Sequence, residues 1–140
     1  MLGWLKHLKQ LATDILPVEQ PMKYGNKSFR TWLDRVRGTL PEDLKALFPA
    51  TPDWPNCIAE LRFYAEESFG SYDKLDYTTA HELNFLLLLM AFFKMGVLIE
   101  SDLPAVALRV FVSYIELCRM LQRNYALEPS GSDGWGLDDY

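Results

Sequence analysis

The chain has 140 residues, of which 49% are hydrophobic and 24% are charged, and this balance excludes a disordered chain, a collagen-like repeat and a small disulfide scaffold. Residues 1–37 hold seven Lys or Arg against three acidic residues, whereas residues 38–140 are strongly acidic and bring the net charge to −5. An acidic chain is poorly suited to neutralising phosphates, so we predict no nucleic-acid partner, and the basic first segment is either a solvated face or a phosphate contact.

Apolar residues recur at helical spacing along the chain, and nothing alternates with period two for long, so the sequence predicts helices and gives strands little support. The predicted helices cover residues 5–15, 26 or 28 to 38, 41–48, 53–69, 79–96 and 101 or 102 to 125. Prolines and glycines punctuate the intervals between them. Residues 128–140 lack a helical period and are predicted to form a tail.

The fifth predicted helix has the clearest start signal, because Thr79 and Glu82 have the spacing of a capping box. Its body is apolar nearly all round, which is typical of a buried helix. The sequence therefore predicts an all-α fold, a single helical domain over residues 1–140 of about six helices around a central apolar helix. Aromatic residues make up 14% of the chain, which indicates an aromatic core or rings that line a cleft.

Location is predicted from the cysteines and the first residues. Cys57 and Cys118 are far apart without metal-ligand spacing, which favours buried or free thiols in a reducing compartment. The first residues lack a signal-peptide pattern, and the longest apolar run, residues 85–93, is shorter than a membrane span. We expect a cytoplasmic protein without a membrane partner, and an additional nuclear location stays open.

Three stretches stand out as candidate sites, although the sequence contains no Walker-type loop, HExxH or GxSxG motif. His81 lies at a predicted helix start, where free amides suit a phosphate or a carboxylate, or where it simply packs. Residues 23–32 combine cations, aromatics and a glycine at a second helix start, which is either a polyphosphate contact or a charged outer face. Asp138 and Asp139 follow a glycine-rich loop and are either ligands for a hard cation or part of a frayed terminus.

The same stretches resemble the phosphotyrosyl phosphatase activator family, the activators of protein phosphatase 2A. The resemblance rests on PVEQP at 17–21 with YGNKSFRTW at 24–32, LDYTTAHELNF at 75–85, and YALEPSGS at 125–132 with WGLDDY at 135–140. The order and approximate spacing of the three signatures agree with the family.

The resemblance implies an all-α protein with a deep cleft that binds ATP and Mg²⁺. It also implies that the protein activates the phosphatase 2A catalytic subunit and isomerises proline-containing peptides. It assigns Asp76, His81 and Glu82 to catalysis; Lys23, Lys27, Ser28 and Phe29 to the nucleotide; Asp138 and Asp139 to the metal; and Tyr77, Gly131, Trp135 and Gly136 to the partner-facing cleft.

The chain also departs from the family pattern. Thr78 and Ala80 stand where the family usually has glycines. The family usually has one more residue before the tryptophan of the third signature, whereas here Gly134 directly precedes Trp135. Family members continue with further helices beyond the equivalent of Tyr140, so the resemblance implies a truncated or divergent member. Two alternatives stay open: a non-enzymatic helical module that binds the phosphatase, and an inactive truncated paralogue.

Overall fold

The structure is a computed structural model that describes residues 1–20, 25–47 and 54–129. Its long helices are α1 (Leu2–Asp14), α2 (Ser28–Leu47), α3 (Trp54–Glu66), α4 (Thr79–Lys94) and α6 (Phe111–Tyr125). Two short parallel strands, β1 (Asp76–Tyr77) and β2 (Glu128–Pro129), pair with each other. The helical content confirms the predicted all-α class. None of the helices in the described ranges is long and apolar enough to cross a membrane.

Helix α2 replaces two predicted helices, since it runs without a break through Gly38 and Pro41. The predicted end at Gly38 and the separate helix at 41–48 are therefore wrong. A proline inside a helix removes one backbone hydrogen bond and crowds the preceding turn. Val36, Leu40 and Leu44 are fully buried at four-residue spacing on both sides of the proline, and this continuous apolar stripe keeps the helix intact.

The N-cap of helix α4 lies one residue earlier than predicted, because the Thr78 hydroxyl, rather than that of Thr79, accepts the amide of Ala80 at 3.2 Å. The predicted capping box between Thr79 and Glu82 is therefore wrong. The helix is also buried on one side only, where its composition predicted burial all round. Phe85 is fully buried, whereas Met90 is 53% exposed.

The last helical region changes its winding along its length. A 3-10 turn (Glu100–Asp102) leads into a short helix α5 (Leu103–Ala105), a π-helical turn (Val106–Val110) and then α6. The predicted end near Tyr125 is confirmed, and Ala126 then adopts a left-handed conformation with φ of 49°.

The core is aromatic, which confirms the first of the two interpretations of the aromatic content. Phe85 stacks on Tyr114 with ring centroids 3.9 Å apart, and Phe29 stacks on Trp32 at 5.7 Å. Trp32 also donates its indole N–H to the carbonyl of Leu8 at 3.2 Å, which joins α2 to α1. Rings from α2, α4 and α6 thereby fix the relative positions of these helices.

Candidate functional site

The three signature segments meet at one place in the fold. The amides of Gly25 and Asn26 donate to the carbonyls of Ala126 and Tyr125, both at 2.7 Å. The third segment then pairs with the second as the β1–β2 ladder, in which Asp76 lies opposite Glu128. We call this meeting of residues 25–26, 75–77 and 125–129 the signature junction.

Asn26 organises the first segment of the junction. Its side chain accepts the amides of Val18 and Ser28, at 3.1 and 3.0 Å, and donates to the Val18 carbonyl at 2.7 Å. Gln20 makes a similar pair of bonds, accepting the Lys27 amide at 3.2 Å and donating to the Gly25 carbonyl at 3.0 Å. These bonds tie the connector after α1 to the start of α2. The bond from the Ser28 amide to the Asn26 side chain is of the kind expected from a residue that caps a helix, and Asn26 is one of the two predicted starts of this helix.

Two arginines of α2 hold the loop before β1 against that helix. Arg30 donates from Nε to the carbonyl of Tyr72 at 2.8 Å and from a terminal nitrogen to that of Asp73 at 2.9 Å. The Tyr72 ring in turn lies under the Arg37 guanidinium, with 4.7 Å between that group and the ring centroid. The first signature thereby fixes the approach to the second.

Backbone conformation and close packing make the junction sensitive to added atoms. Gly70 has φ of +147°, and a β-carbon there would lie 2.9 Å from Cζ of Phe29 and 3.1 Å from the carbonyl oxygen of Asp76. Leu75 adopts a positive φ of 55°, which is costly for a residue with a side chain. Such conformations persist only where surrounding contacts impose them, and they are common at functional sites.

A buried polar network lies directly beneath β1. The Tyr77 hydroxyl donates to Oε1 of Glu82 at 3.1 Å, and the Tyr114 hydroxyl donates to the carbonyl of Ser68 at 2.5 Å. The two hydroxyl oxygens are 3.4 Å apart. The network therefore joins β1, α4, α6 and the end of the α3 region through side chains that are almost wholly enclosed.

Both tyrosines in this network strongly favour their protonated form. Burial raises the pKa of Tyr77 well above its ordinary value, and the adjacent Cys118 thiol and the Glu82 carboxylate raise it further. Burial, Cys118 and Tyr77 raise the pKa of Tyr114 in the same direction. Neither hydroxyl is suited to act as a base at neutral pH, and both remain hydrogen-bond donors.

His81 is directed into the protein. Its side chain is 7% exposed, and its Nδ1–H donates to the carbonyl of Glu67 at 2.7 Å. A carbonyl oxygen only accepts, so this bond places a proton on Nδ1. The residue joins the first turn of α4 to the end of the α3 region.

The three residues predicted to be catalytic differ in exposure. Glu82 and His81 are buried at the first turn of α4, and Asp76 on β1 is partly exposed. Because Glu82 and His81 make internal contacts, we describe them as positioning residues, a role that sequence reasoning did not distinguish. Tyr77, predicted to line the cleft, is 3% exposed and belongs to the same internal network.

The predicted nucleotide residues that the structure describes differ in exposure. Phe29 is fully buried in the aromatic core, and Ser28 is 5% exposed. Lys27 presents an exposed side chain, and Lys23 lies outside the described residues. The amides of Lys27, Ser28 and Phe29 are already bonded to Gln20 or Asn26, so this helix start offers them to no phosphate.

The predicted metal and loop residues Asp138, Asp139, Gly131, Trp135 and Gly136 also lie outside the described residues. Within the described ranges, His, Cys, Asp and Glu side chains form no group of three that is able to hold a metal ion.

Sequence reasoning missed two residues that support the junction from outside it. The hydroxyl partner of Tyr114 is the carbonyl of Ser68, 46 positions away, and no local pattern connects them. Gly70 follows the predicted helix 53–69, where a glycine is expected to stop a helix, but it also allows Phe29 and the Asp76 carbonyl to approach closely. A glycine that closes a helix carries no signal that distinguishes these two roles.

Comparison with known proteins gives concordant matches over nearly the whole chain. The chain is 46% identical to the serine/threonine-protein phosphatase 2A activator of Drosophila melanogaster, over 95% of this chain and 33% of that protein. It is 41% identical to the serine/threonine-protein phosphatase 2A activator 2 of Gibberella zeae, over 97% of this chain and 31% of that protein. It therefore spans about a third of the length of these relatives.

The fold is also similar to a solved structure. The crystal structure of the PP2A phosphatase activator Ypa1 matches with a TM-score of 0.81 and 32% identity, over 94% of this chain and 41% of that one. The family model described as phosphotyrosyl phosphate activator (PTPA) protein matches residues 1–140. The chain therefore belongs to the phosphotyrosyl phosphatase activator family.

Proposed function

We propose that this chain binds the catalytic subunit of protein phosphatase 2A through the signature junction and thereby activates it. The observation that carries the proposal is the convergence of the three signatures, since residues 25–26, 75–77 and 125–129 are distant in sequence and joined by backbone hydrogen bonds. The relatives named as phosphatase 2A activators support the choice of partner.

The junction has the build expected of a preformed docking face. Beneath it, the buried polar groups are already paired with each other in the Tyr77–Glu82 and Tyr114–Ser68 hydrogen bonds. These side chains therefore need not rearrange when a partner binds. Around it, Lys27, Thr79 and Ala80 are exposed and Asp76 is partly exposed. Lys27, Asp76 and Thr79 supply a small polar surface of mixed charge that is able to orient a protein partner.

A bulky substitution at the start of α4 tests the proposal. Ala80 is exposed, so Ala80→Arg adds volume at the junction without filling the core. Ala59→Arg makes the same change on an exposed position of α3 and serves as the control. We expect Ala80→Arg to weaken binding to the purified catalytic subunit by at least about tenfold, measured by titration calorimetry, with Ala59→Arg unchanged. Equal affinities for both variants would remove the junction from the interface.

Peptidyl-prolyl isomerisation is the finer part of the proposal, and the family resemblance supports it. Isomerisation needs no nucleophile; it needs the twisted amide to be favoured over the planar one, against a barrier of about 18–20 kcal/mol. Asp76 is the one predicted catalytic residue that is partly exposed, and β1 fixes its backbone. It is therefore the residue placed to accept or direct a hydrogen bond at a bound proline peptide.

A proline-peptide isomerisation assay separates the enzyme from its alternatives. We expect measurable turnover that falls about tenfold in Asp76→Ala, the size of one lost hydrogen bond in the transition state. Phosphatase binding without turnover would instead favour the non-enzymatic module. Absence of both, with a broad thermal transition, would favour the inactive truncated paralogue.

Binding of ATP and Mg²⁺ is proposed from the resemblance alone, with exposed Lys27 as the described residue that supports it. Calorimetric titration of magnesium-ATP into the purified chain tests it, with Lys27→Ala expected to weaken binding and Lys45→Ala, at an exposed position near the other end of α2, expected to leave it unchanged. No heat at high protein concentration would remove the nucleotide from the proposal and would leave phosphatase binding to be judged separately.

A further inference from the structure

A small cavity lies between the beginning of α1 and the end of α2. It has a volume of about 260 Å³. Its walls are formed by Gly3, Trp4 and His7 from α1 and by Asp43, Ala46 and Leu47 from α2. None of these residues belongs to the signature junction, so the cavity is a separate feature of the fold.

Trp4 supplies a buried hydrogen-bond donor at the wall of this cavity. The residue is 7% exposed, and its ring packs edge-on against Phe69 with 6.1 Å between the ring centroids. Among the described residues its indole N–H has no hydrogen-bond partner, whereas the indole N–H of Trp32 donates to the Leu8 carbonyl. Buried polar groups in native proteins are almost always paired. The indole N–H of Trp4 therefore indicates an acceptor that a ligand brings to the cavity.

The Trp4 donor lies behind a side chain that is able to move. The indole nitrogen is itself buried, and His7 follows Trp4 at a spacing from which a helical side chain leans back over the preceding turn. His7 is exposed, and exposed side chains change rotamer within nanoseconds. A β-carbon added at Gly3 would meet nothing within 4 Å, so the space beside this turn is open. Rotation of His7 thus gives a ligand access to the indole N–H.

The polar groups of the two walls determine which ligand fits. Trp4 on α1 only donates, whereas the carboxylate of Asp43 on α2 only accepts and already holds the Thr39 hydroxyl at 3.0 Å. A ligand that suits both walls needs an acceptor and a donor on different atoms, which an amide provides with its C=O and N–H. A carboxylate ligand would instead bring a second negative charge towards Asp43.

We propose that the cavity binds a neutral amide, whose carbonyl oxygen accepts the Trp4 indole N–H and whose N–H donates to Asp43. The cavity is smaller than common ligand sites of about 300–1,000 Å³, so the amide belongs to a compact group, either a free small molecule or part of a peptide. The small or apolar residues Gly3, Ala46 and Leu47 suit a short aliphatic substituent. This inference goes beyond phosphatase binding and concerns different residues.

Nuclear magnetic resonance of the indole N–H groups tests the proposal on the intact chain. Trp4→Phe identifies the Trp4 resonance, and the Trp32 resonance is an internal control because its N–H is already bonded. N-methylacetamide is the probe for a free amide, N-acetylalanine methylamide is the probe for a peptide, and acetate is the charged comparison. Gly3→Leu adds a side chain at the cavity wall, and Gly38→Leu, where an added β-carbon also meets nothing within 4 Å, is the matched control.

We expect at least one of the two amides to shift the Trp4 resonance saturably and to leave that of Trp32 unchanged. Binding should be at least about tenfold weaker in Gly3→Leu and unchanged in Gly38→Leu. Tighter binding of the peptide probe would assign the site to a peptide segment, and otherwise the site belongs to a small molecule. No saturable shift, equal binding by Gly3→Leu, or equally tight binding of acetate would overturn the proposal.

Discussion

The signature junction and an apolar groove lie on different parts of the same helix, α4, and they are built in opposite ways. The groove has a volume of about 580 Å³, and its walls include Leu86, Met90 and Phe93 from α4 and Leu103, Val106 and Phe111 from the region that follows. At the first turn of α4, Glu82 and His81 are buried and hydrogen-bonded to Tyr77 and Glu67. Two turns later, Leu86 and Met90 are apolar and exposed. The buried polar groups of the first turn find their partners within the described structure, whereas the middle of the helix keeps apolar side chains exposed.

The largest expected effect is on the packing of the junction. Gly70→Ala forces a β-carbon to within 2.9 Å of the Phe29 ring and requires a residue with a side chain to keep a φ of +147°. We expect a loss of about 2–4 kcal/mol in the free energy of unfolding, measured by urea denaturation.

Gly38→Ala is the matched control for this change. Gly38 lies inside α2, and an added β-carbon meets nothing within 4 Å. Alanine is the better helix former, so this variant is expected to gain up to about 1 kcal/mol. Similar losses for the two variants would contradict the tight packing described for the junction.

The next effect concerns the buried network. Tyr114→Phe keeps the ring stacked on Phe85 but leaves the Ser68 carbonyl without its hydroxyl donor. We expect a loss of about 1–3 kcal/mol of stability and weaker phosphatase binding, because Tyr114 supports Tyr77 beneath β1.

Tyr125→Phe provides the comparison, since it keeps the backbone carbonyl that accepts the Asn26 amide in the junction and removes only the hydroxyl, which bonds the Ile15 carbonyl at 2.7 Å, away from Glu82. This variant is expected to lose stability while keeping its affinity for the phosphatase, measured by calorimetry below the melting temperature. Loss of affinity in both variants in proportion to stability would assign Tyr114 a purely structural role.

Alkaline pH separates the two regions without mutation. Burial raises the pKa of Tyr125 from 10.0 to about 12, and burial also raises the pKa values of Tyr77 and Tyr114. Below pH 10 all three are protonated in both folded and unfolded chains, so their contribution is fully present. Between about pH 10 and 12 the unfolded chain loses these protons first, and stability falls.

An alkaline titration that follows phenolate absorbance and circular dichroism together measures both the ionisation of the tyrosines and the accompanying unfolding. The buried tyrosines are expected to titrate together with unfolding, while the groove walls named above contain no titratable group and bind a hydrophobic dye unchanged until that transition. Titration of all tyrosines near pH 10 in a folded chain would contradict the burial of the network.

The smallest effect is expected in the groove itself. Met90→Asp changes a side chain that is 53% exposed, so the free energy of unfolding should change by no more than about 0.5–1 kcal/mol, mostly through helix propensity. Binding of a hydrophobic dye should fall at the same time. A large loss of stability would mean that Met90 belongs to the core, and the two halves of α4 would no longer differ.

Local patterns predicted most of the helices, because apolar spacing reports the buried face of each one. They failed at Pro41, where buried Leu40 and Leu44 outweigh the local cost of proline, and at Thr78, where the neighbouring Thr79 offered an equally good cap. Both errors arise where two local signals compete and tertiary contacts decide between them.

The candidate site was predictable as segments and not as an arrangement. The signatures named residues 24–32, 75–85 and 125–132, but the bond between the Gly25 amide and the Ala126 carbonyl joins positions that no periodicity relates. Burial was the second limit. The resemblance implied catalytic roles for Glu82 and His81, whereas the fold gives each an internal partner.

Hydrogen–deuterium exchange of the chain, with and without the phosphatase catalytic subunit, tests the central claim most directly because it observes both regions at once. The account predicts slower exchange on binding at residues 25–30, 76–82 and 125–129, with little change at residues 86–93. Protection confined to residues 86–111 would place the phosphatase on the groove and contradict the assignment of the signature junction as its binding site.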